Sequence, residues 1–263
     1  MLRSMYSGIS GMKNFQSKLD VLGNNIANVN TYGFKKGRTT FKDLVSQQIS
    51  GASAPNGGRG GVNPKQVGLG SQLSTIDTIH TQGSLQTTGR PLDLSLSGDG
   101  YFLVTDGTNE YYTRAGNFYL DQAGTLVNSD GMKVLDSDQA TITIPPEAES
   151  FSIGSDGSVT YILDGELNED QQQIGIAKFA NNGGLEKAGG NLYQATTNSG
   201  APEITTAGLE GAGDIVAGTL EMSNVDLSEE FTEMIVAQRG FQANTRIITT
   251  SDEILQELVN LKR

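Results

Sequence analysis

The sequence predicts an α+β chain: one all-β domain, sandwich or barrel-like, inserted between N- and C-terminal helices able to form coiled coils. Three observations carry this. Apolar residues recur at steps of three and four near both ends. The middle alternates apolar and polar residues between Asp-Gly turns. Glycine supplies 34 of 263 residues and proline only 6, a balance of tight turns rather than Pro-rich linkers.

The first element covers residues 1–33. Leu2, Met5, Ile9, Met12, Phe15, Leu19, Leu22, Ile26 and Val29 fall on one helical face, and all but Phe15 form the N-terminal assembly seam. Ser4, Ser7, Gly8, Ser10 and Gly11 permit close helix approach and lower intrinsic helix stability. Gly33 is placed to cap the helix C-terminus. Residues 34–74 read as a Gly-rich connecting segment, with a mobile or subunit-contacting loop over 50–70.

Residues 75–222 read as the β-rich domain. Leu92, Leu94 and Leu96 alternate with polar residues, and Tyr101–Val104 follows the turn Gly98-Asp99-Gly100. Asp106-Gly107, Asp130-Gly131, Asp156-Gly157 and Asp164-Gly165 are hairpin dipeptides. Met132–Leu135, Ser158–Leu163 and Ile174–Phe179 are the strands expected beside them.

Residues 223–263 form the C-terminal helix. Its assembly seam is Leu227, Phe231, Met234, Phe241, Ile248, Leu255 and Val259, interrupted by Gln238, Thr245 and Asp252, which would fix register at a cost in stability. Asp226 with Glu229 reads as a capping box. Glu230 and Glu233 near the start, and Lys262 and Arg263 at the end, complement the helix dipole. Gly240 costs about 1 kcal/mol in the helix interior, and separately the β-branched run Ile247–Thr250, with Thr250 and Glu253 as a second capping box, allows a break near Thr250. Two such stripes on one soluble chain argue for assembly.

Composition excludes several chemistries. With no cysteine there is no disulfide, thiolate metal site or cysteine nucleophile, and the single histidine, His80, leaves no zinc site built from several histidines. His80 stands in a polar stretch and reads as a surface strand residue. The formal net charge of −12 argues against nucleic-acid binding through a broad basic surface. Positive charge gathers in residues 1–42, which hold seven basic residues and one acid. No apolar run is long enough for membrane insertion, and the N-terminus lacks the pattern of a Sec signal peptide.

Candidate reaction motifs fail on inspection. Gly57-Gly58-Arg59-Gly60-Gly61 with Lys65 lacks the order of a phosphate-binding loop. Asp136-Ser137-Asp138 begins like a calcium loop, but Ala140 and Thr141 stand where a ligand and a glycine belong. Asp99, Asp106, Asp121, Asp130 and Asp156 sit in turns, where aspartate serves the backbone. No catalytic, metal or cofactor-binding residue is assigned, and no cofactor is expected.

The run Asn24-Asn25-Ile26-Ala27-Asn28-Val29-Asn30-Thr31-Tyr32-Gly33-Phe34 resembles the N-terminal signature of the bacterial flagellar rod and hook family. Leu92–Phe102, Tyr112–Phe118 and Leu220–Leu227 resemble further motifs of that family, so the likeness spans nearly the whole chain. The C-terminal segment from Ala237 is most similar to that of a hook protein, while the length approaches that of a distal rod protein. The reading adopted from sequence is a short hook protein of Gram-positive type, with the distal rod protein second. The resemblance implies a tubular homo-polymer outside the cell membrane, with terminal helices inside and β domains outside, acting as a flexible joint that transmits motor torque. It implies rod proteins, a hook cap and hook–filament junction proteins as partners. It also implies passage through the flagellar type III export apparatus without a cleaved signal. A secreted β-rich binding module with dimerising helices is the alternative from another class. Electron microscopy separates tubes from particles of fixed size.

Overall fold

The computed structural model describes residues 2–55, 60–163, 165–168 and 172–261, without the side chains of Leu2, Leu167 and Asn168. The readings at Gly57, Gly58, Arg59, Asp164, Lys262, Arg263 and the Leu2 side chain therefore lie outside the described residues. The chain divides into two units, each taken by itself. One holds residues 1–27, 37–77 and 226–263; the other holds 28–36 and 78–225.

The helical unit contains α1 (Leu2–Ala27), β1 (Gly37–Asp43), β2 (Gln47–Ser50), β3 (Lys65–Val67), β4 (Ser71–Thr78) and α2 (Leu227–Asn260). The two helices run antiparallel: Ser4 meets Ser251, Gly8 meets Ile248, Gly11 meets Asn244 and Phe15 meets Gly240. Small residues at these positions let the backbones approach, as their early clustering in α1 predicts. β1 pairs with β4, and β2 with β3 in a hairpin. The stretch expected as a connecting segment thus carries four strands, and residues 37–77 cluster with the helices. Its polar, Gly-rich composition hid short ladders whose strand β2 is exposed throughout.

α1 ends at Ala27, short of Gly33. Gly33 is no helix cap: it adopts φ +69° and its N–H donates to the Glu221 carbonyl. A Cβ there would lie 2.5 Å from the Ala115 nitrogen, so glycine is required for backbone approach as well as for φ. α2 runs unbroken through Thr250. Thr249 and Thr250 hydroxyls donate to the Arg246 carbonyl, which absorbs these β-branched residues into the helix. Asp226 caps α2 by accepting from the Ser228 and Glu229 amides.

In the β unit, β5 (Leu85–Thr87) pairs with Thr219–Glu221, and β6 (Leu94–Ser97) pairs with Asp214–Ala217. β7 (Tyr101–Thr105) and β8 (Glu110–Thr113) form a hairpin at the centre of a nine-stranded sheet. β7 is covered on both faces. Phe102 and Val104 enter one core with Leu94, Leu96, Ile176 and Ile215, while Tyr101 and Leu103 enter a second with Tyr112, Phe179 and Tyr193. This explains why Tyr101–Val104 is apolar without interruption, whereas β6 alternates. Ser95 of β6 is nevertheless buried, with its hydroxyl 2.5 Å from that of Thr219.

Candidate assembly surface

Residues of the family-like motif act as two separate clasps. In the helical unit, Asn25 is almost fully buried. Its Nδ2 donates to the Gly37 carbonyl at 2.9 Å and to Glu230 Oε2 at 3.1 Å, and its Oδ1 accepts from the Gly37 amide at 2.9 Å. One amide side chain thereby satisfies both backbone groups of the first residue of β1 and holds a buried carboxylate of α2. Ion pairing between Lys18 and Glu233 ties the same helices nearer their exposed edge.

In the β unit, Asn28 and Thr31 hold a turn: the Asn28 carbonyl accepts from the Thr31 amide and its Oδ1 from the Thr31 hydroxyl. Phe34 is buried beneath the Lys187 ammonium, 5.1 Å from the ring centroid. Lys35 has no exposed side-chain surface and donates to Glu221 Oε1 at 2.5 Å and to the Thr81 carbonyl at 2.8 Å. Burial lowers the Lys35 pKa, while the Glu221 charge and hydrogen bond oppose that shift. Arg114 reaches the other Glu221 oxygen at 3.4 Å. Asn224 accepts from the Lys36 amide and donates to the Ile79 carbonyl, both at 2.8 Å. Neither Glu221 nor Asn224 was singled out by sequence reasoning; the only signal was their place in the Leu220–Leu227 motif.

His80 is not a surface strand residue. Its Nδ1 lies 2.7 Å from the Tyr101 hydroxyl and its ring packs edge-on against Tyr101 and Tyr193. Burial, followed by the positive charges of Lys35, Lys187 and Arg114, pushes its pKa down to about 4. The aspartates weighed as catalytic groups include turn residues: Asp106 accepts from the Thr108 and Asn109 amides, and Asp156 from the Ser158 amide and hydroxyl.

The expected seams lie unevenly against the α1–α2 contact. Leu22 is buried; Met5, Met12, Leu19 and Ile26 are half-buried; Ile9 is exposed. Val29 lies beyond α1 and is half-buried, as is Phe15 over Gly240. On α2, Met234, Phe241, Ile248 and Leu255 are half-buried, whereas Leu227, Phe231 and Val259 are exposed. The buried residues of α2 are Glu230, Ala237 and Ser251. A further apolar strip, Val236, Ile247, Ile254 and Leu258, stands about half exposed. The stronger apolar stripe along the same helix masks it in the sequence. The β2–β3 hairpin adds exposed Ile49 and Val67, with Val45 and Val62 beside it. Among the described residues no helix is long and apolar enough to cross a membrane.

Three segments match known families: residues 5–35 the flagella basal body rod protein family, 95–161 the flagellar hook protein FlgE/F/G D1 domain, and 216–261 the flagellar basal body rod FlgEFG protein C-terminal family. Over its full length the chain is 64% identical to the flagellar basal-body rod protein FlgG of Bacillus subtilis (strain 168), with all of that protein covered. It is 38% identical to FlgG of Caulobacter vibrioides, with 99% of this chain and all of that protein covered. It is 30% identical to the flagellar hook protein FlgE of Treponema pallidum, in an alignment of 463 positions that covers both chains fully.

Proposed function

Because the chain belongs to the bacterial flagellar rod and hook protein family, we propose that it is a distal-rod subunit of the flagellar basal body. It is a structural protein of the flagellar axis, and the question is which part of the axis it builds. The observation that carries the rod reading is full-length identity of 64% to a rod protein across 265 positions, against 30% across 463 positions for a hook protein. The chain has the length of the rod relatives and lacks the additional length of that hook relative. This displaces the hook assignment drawn from its C-terminal ending, since a short ending carries less information than the whole alignment.

In this reading copies of the chain polymerise into a stiff tube outside the cell membrane. A heterologous contact that does not close on itself generates such a helical assembly. The apolar positions left open on α1 and α2 become subunit contacts, and the β unit forms the outer layer. The partners are further copies, rod proteins on one side and hook subunits on the other. Hook-cap and junction contacts belong to the displaced hook reading. Export through the type III apparatus without signal cleavage completes the proposal. Antibody labelling of isolated basal bodies tests it. Label on the rod is expected; label along the hook overturns the distal-rod assignment.

A further inference from the structure

We propose that Glu221 is a closure residue: until it arrives with the C-terminal part of the chain, the uncompensated charges of Lys35 and Arg114 keep the β unit open. Four residues from three chain segments converge on this one side chain and its backbone. The Glu221 carbonyl accepts from the Gly33 amide at 2.8 Å. Its Oε1 accepts from Lys35 Nζ at 2.5 Å and from the Gly83 amide at 2.9 Å, and its Oε2 from Arg114 at 3.4 Å. The Lys35 and Glu221 side chains have no exposed surface, and Arg114 has 3%.

Lys35 and Arg114 are therefore two interior cations that share one counter-ion. The other hydrogen-bond partner of Lys35 is a carbonyl, that of Thr81. The Arg114 guanidinium lies 5.3 Å from the Tyr101 ring centroid, and its Nε is buried without a partner among the described residues. Asp99 acts on Lys35 through space alone. Removing one member of such a buried cluster leaves an uncompensated charge, which is far more costly than the cluster is stabilising.

The counter-ion is separated from Lys35 by 186 positions and from Arg114 by 107. Arg114 directly follows β8, and Tyr101 opens β7, so closing the second core around Tyr101 and Tyr112 buries this guanidinium. Without Glu221 that collapse desolvates positive charge with only the through-space effect of Asp99 and the face of the Tyr101 ring to offset it. The hairpin of the central sheet is local and would otherwise form early. Charge thus couples a fast local element to the last strand of the unit, Thr219–Glu221. A chain delivered N-terminus first keeps its β unit open until nearly all of it has passed. The benefit for export rests on the function proposed above, whereas the folding order does not.

Refolding of the full chain from denaturant, followed by pulsed hydrogen exchange and mass spectrometry, tests this. In the native sequence, β7–β8 and residues 214–221 should gain protection in the same kinetic phase. In the triple variant Lys35→Met, Arg114→Leu, Glu221→Leu, β7–β8 should gain protection about tenfold faster than residues 214–221. Glu221→Gln should slow β7–β8 protection about tenfold or abolish it. Protection of β7–β8 well before 214–221 in the native sequence overturns the proposal. So does a triple variant that keeps the single phase, since strand topology alone would then set the order. A triple variant that fails to fold overturns it too, because the charges would then be maintaining the fold rather than timing it. None of these outcomes depends on where the protein sits in the basal body.

Discussion

The ring of Phe15 lies over Gly240, so close that a Cβ on the glycine would be 2.5 Å from the ring Cζ. Gly240 carries an intrinsic helix penalty of about 1 kcal/mol relative to alanine. The structure shows what offsets it: Phe15 packs on bare helix backbone, with Gly11 against Asn244 and Gly8 against Ile248 along the same line. Gly240→Leu should cost about 1–3 kcal/mol by overpacking, despite the better helix propensity of leucine. Adding Phe15→Ala should recover part of that loss, and helix ellipticity against denaturant measures both. A loss unchanged by Phe15→Ala would mean that Phe15 and Gly240 do not face each other.

Asn25 should be irreplaceable by residues of similar size. Asn25→Leu leaves the Gly37 amide, the Gly37 carbonyl and Glu230 without their partner, and a buried unsatisfied group costs about 1–3 kcal/mol. We expect a destabilisation of about 2–4 kcal/mol, with loss of exchange protection at the Gly37 amide. Asn25→Asp should be no milder, because it places a second carboxylate beside Glu230. A variant with wild-type protection at Gly37 contradicts the clasp.

Much of this architecture is legible in the sequence, for reasons that mark where legibility ends. The Leu94–Leu96 alternation, the Asp-Gly turns and the capping Asp226 are local signals, and the observed strands and helix boundary follow them. Gly33 misled because a glycine after a helix looks the same whether it caps the helix or lets backbone approach Ala115, more than eighty positions away. The strands β1–β4 were hidden because their residues are polar and largely exposed. Glu221, Asn224 and His80 acquire their roles from partners distant in sequence, which no local pattern reports. The exposed strip from Val236 to Leu258 was concealed by the stronger neighbouring stripe.

His80 makes the β unit sensitive to acid. Its pKa is 6.5 in an unfolded chain and about 4 in the fold, so the folded state binds its proton less readily. The stabilising preference for neutral imidazole is fully present above pH 6.5 and is lost as pH falls from 6.5 towards 4. Allowing for partial exposure, the loss is about 2 kcal/mol. His80→Phe should flatten stability across that window, at the expense of the hydrogen bond with Tyr101. Thermal melts at pH 7, 5.5 and 4.5 give the comparison, and a parallel decline in both proteins would assign the acid sensitivity elsewhere.

The last prediction separates assembly from folding. Ile254 and Leu258 are about half exposed on α2, beside Val236 and Ile247 on the same strip. A charge there meets water in the monomer, so Ile254→Asp should change monomer stability by no more than about 0.5 kcal/mol. In a polymer that covers the strip, the same carboxylate would enter an apolar contact at a cost of about 2 kcal/mol or more per subunit. Because every 1.4 kcal/mol is a factor of ten, the concentration needed for polymerisation should rise about thirtyfold or more. Leu255→Asp is a less selective probe, since Leu255 is half-buried and the charge would disturb the monomer as well. Gln256→Glu supplies the control: Gln256 is exposed and donates to Asp252, so the change loses one surface hydrogen bond and sets two exposed carboxylates four residues apart, a cost of only about 0.2–0.5 kcal/mol. Sedimentation and electron microscopy should show tubes for Gln256→Glu and dispersed, folded subunits for Ile254→Asp. Tubes formed equally by both would place the polymer contact away from this strip, on other open positions such as Ile9, Leu227, Phe231 and Val259 or on the β2–β3 hairpin.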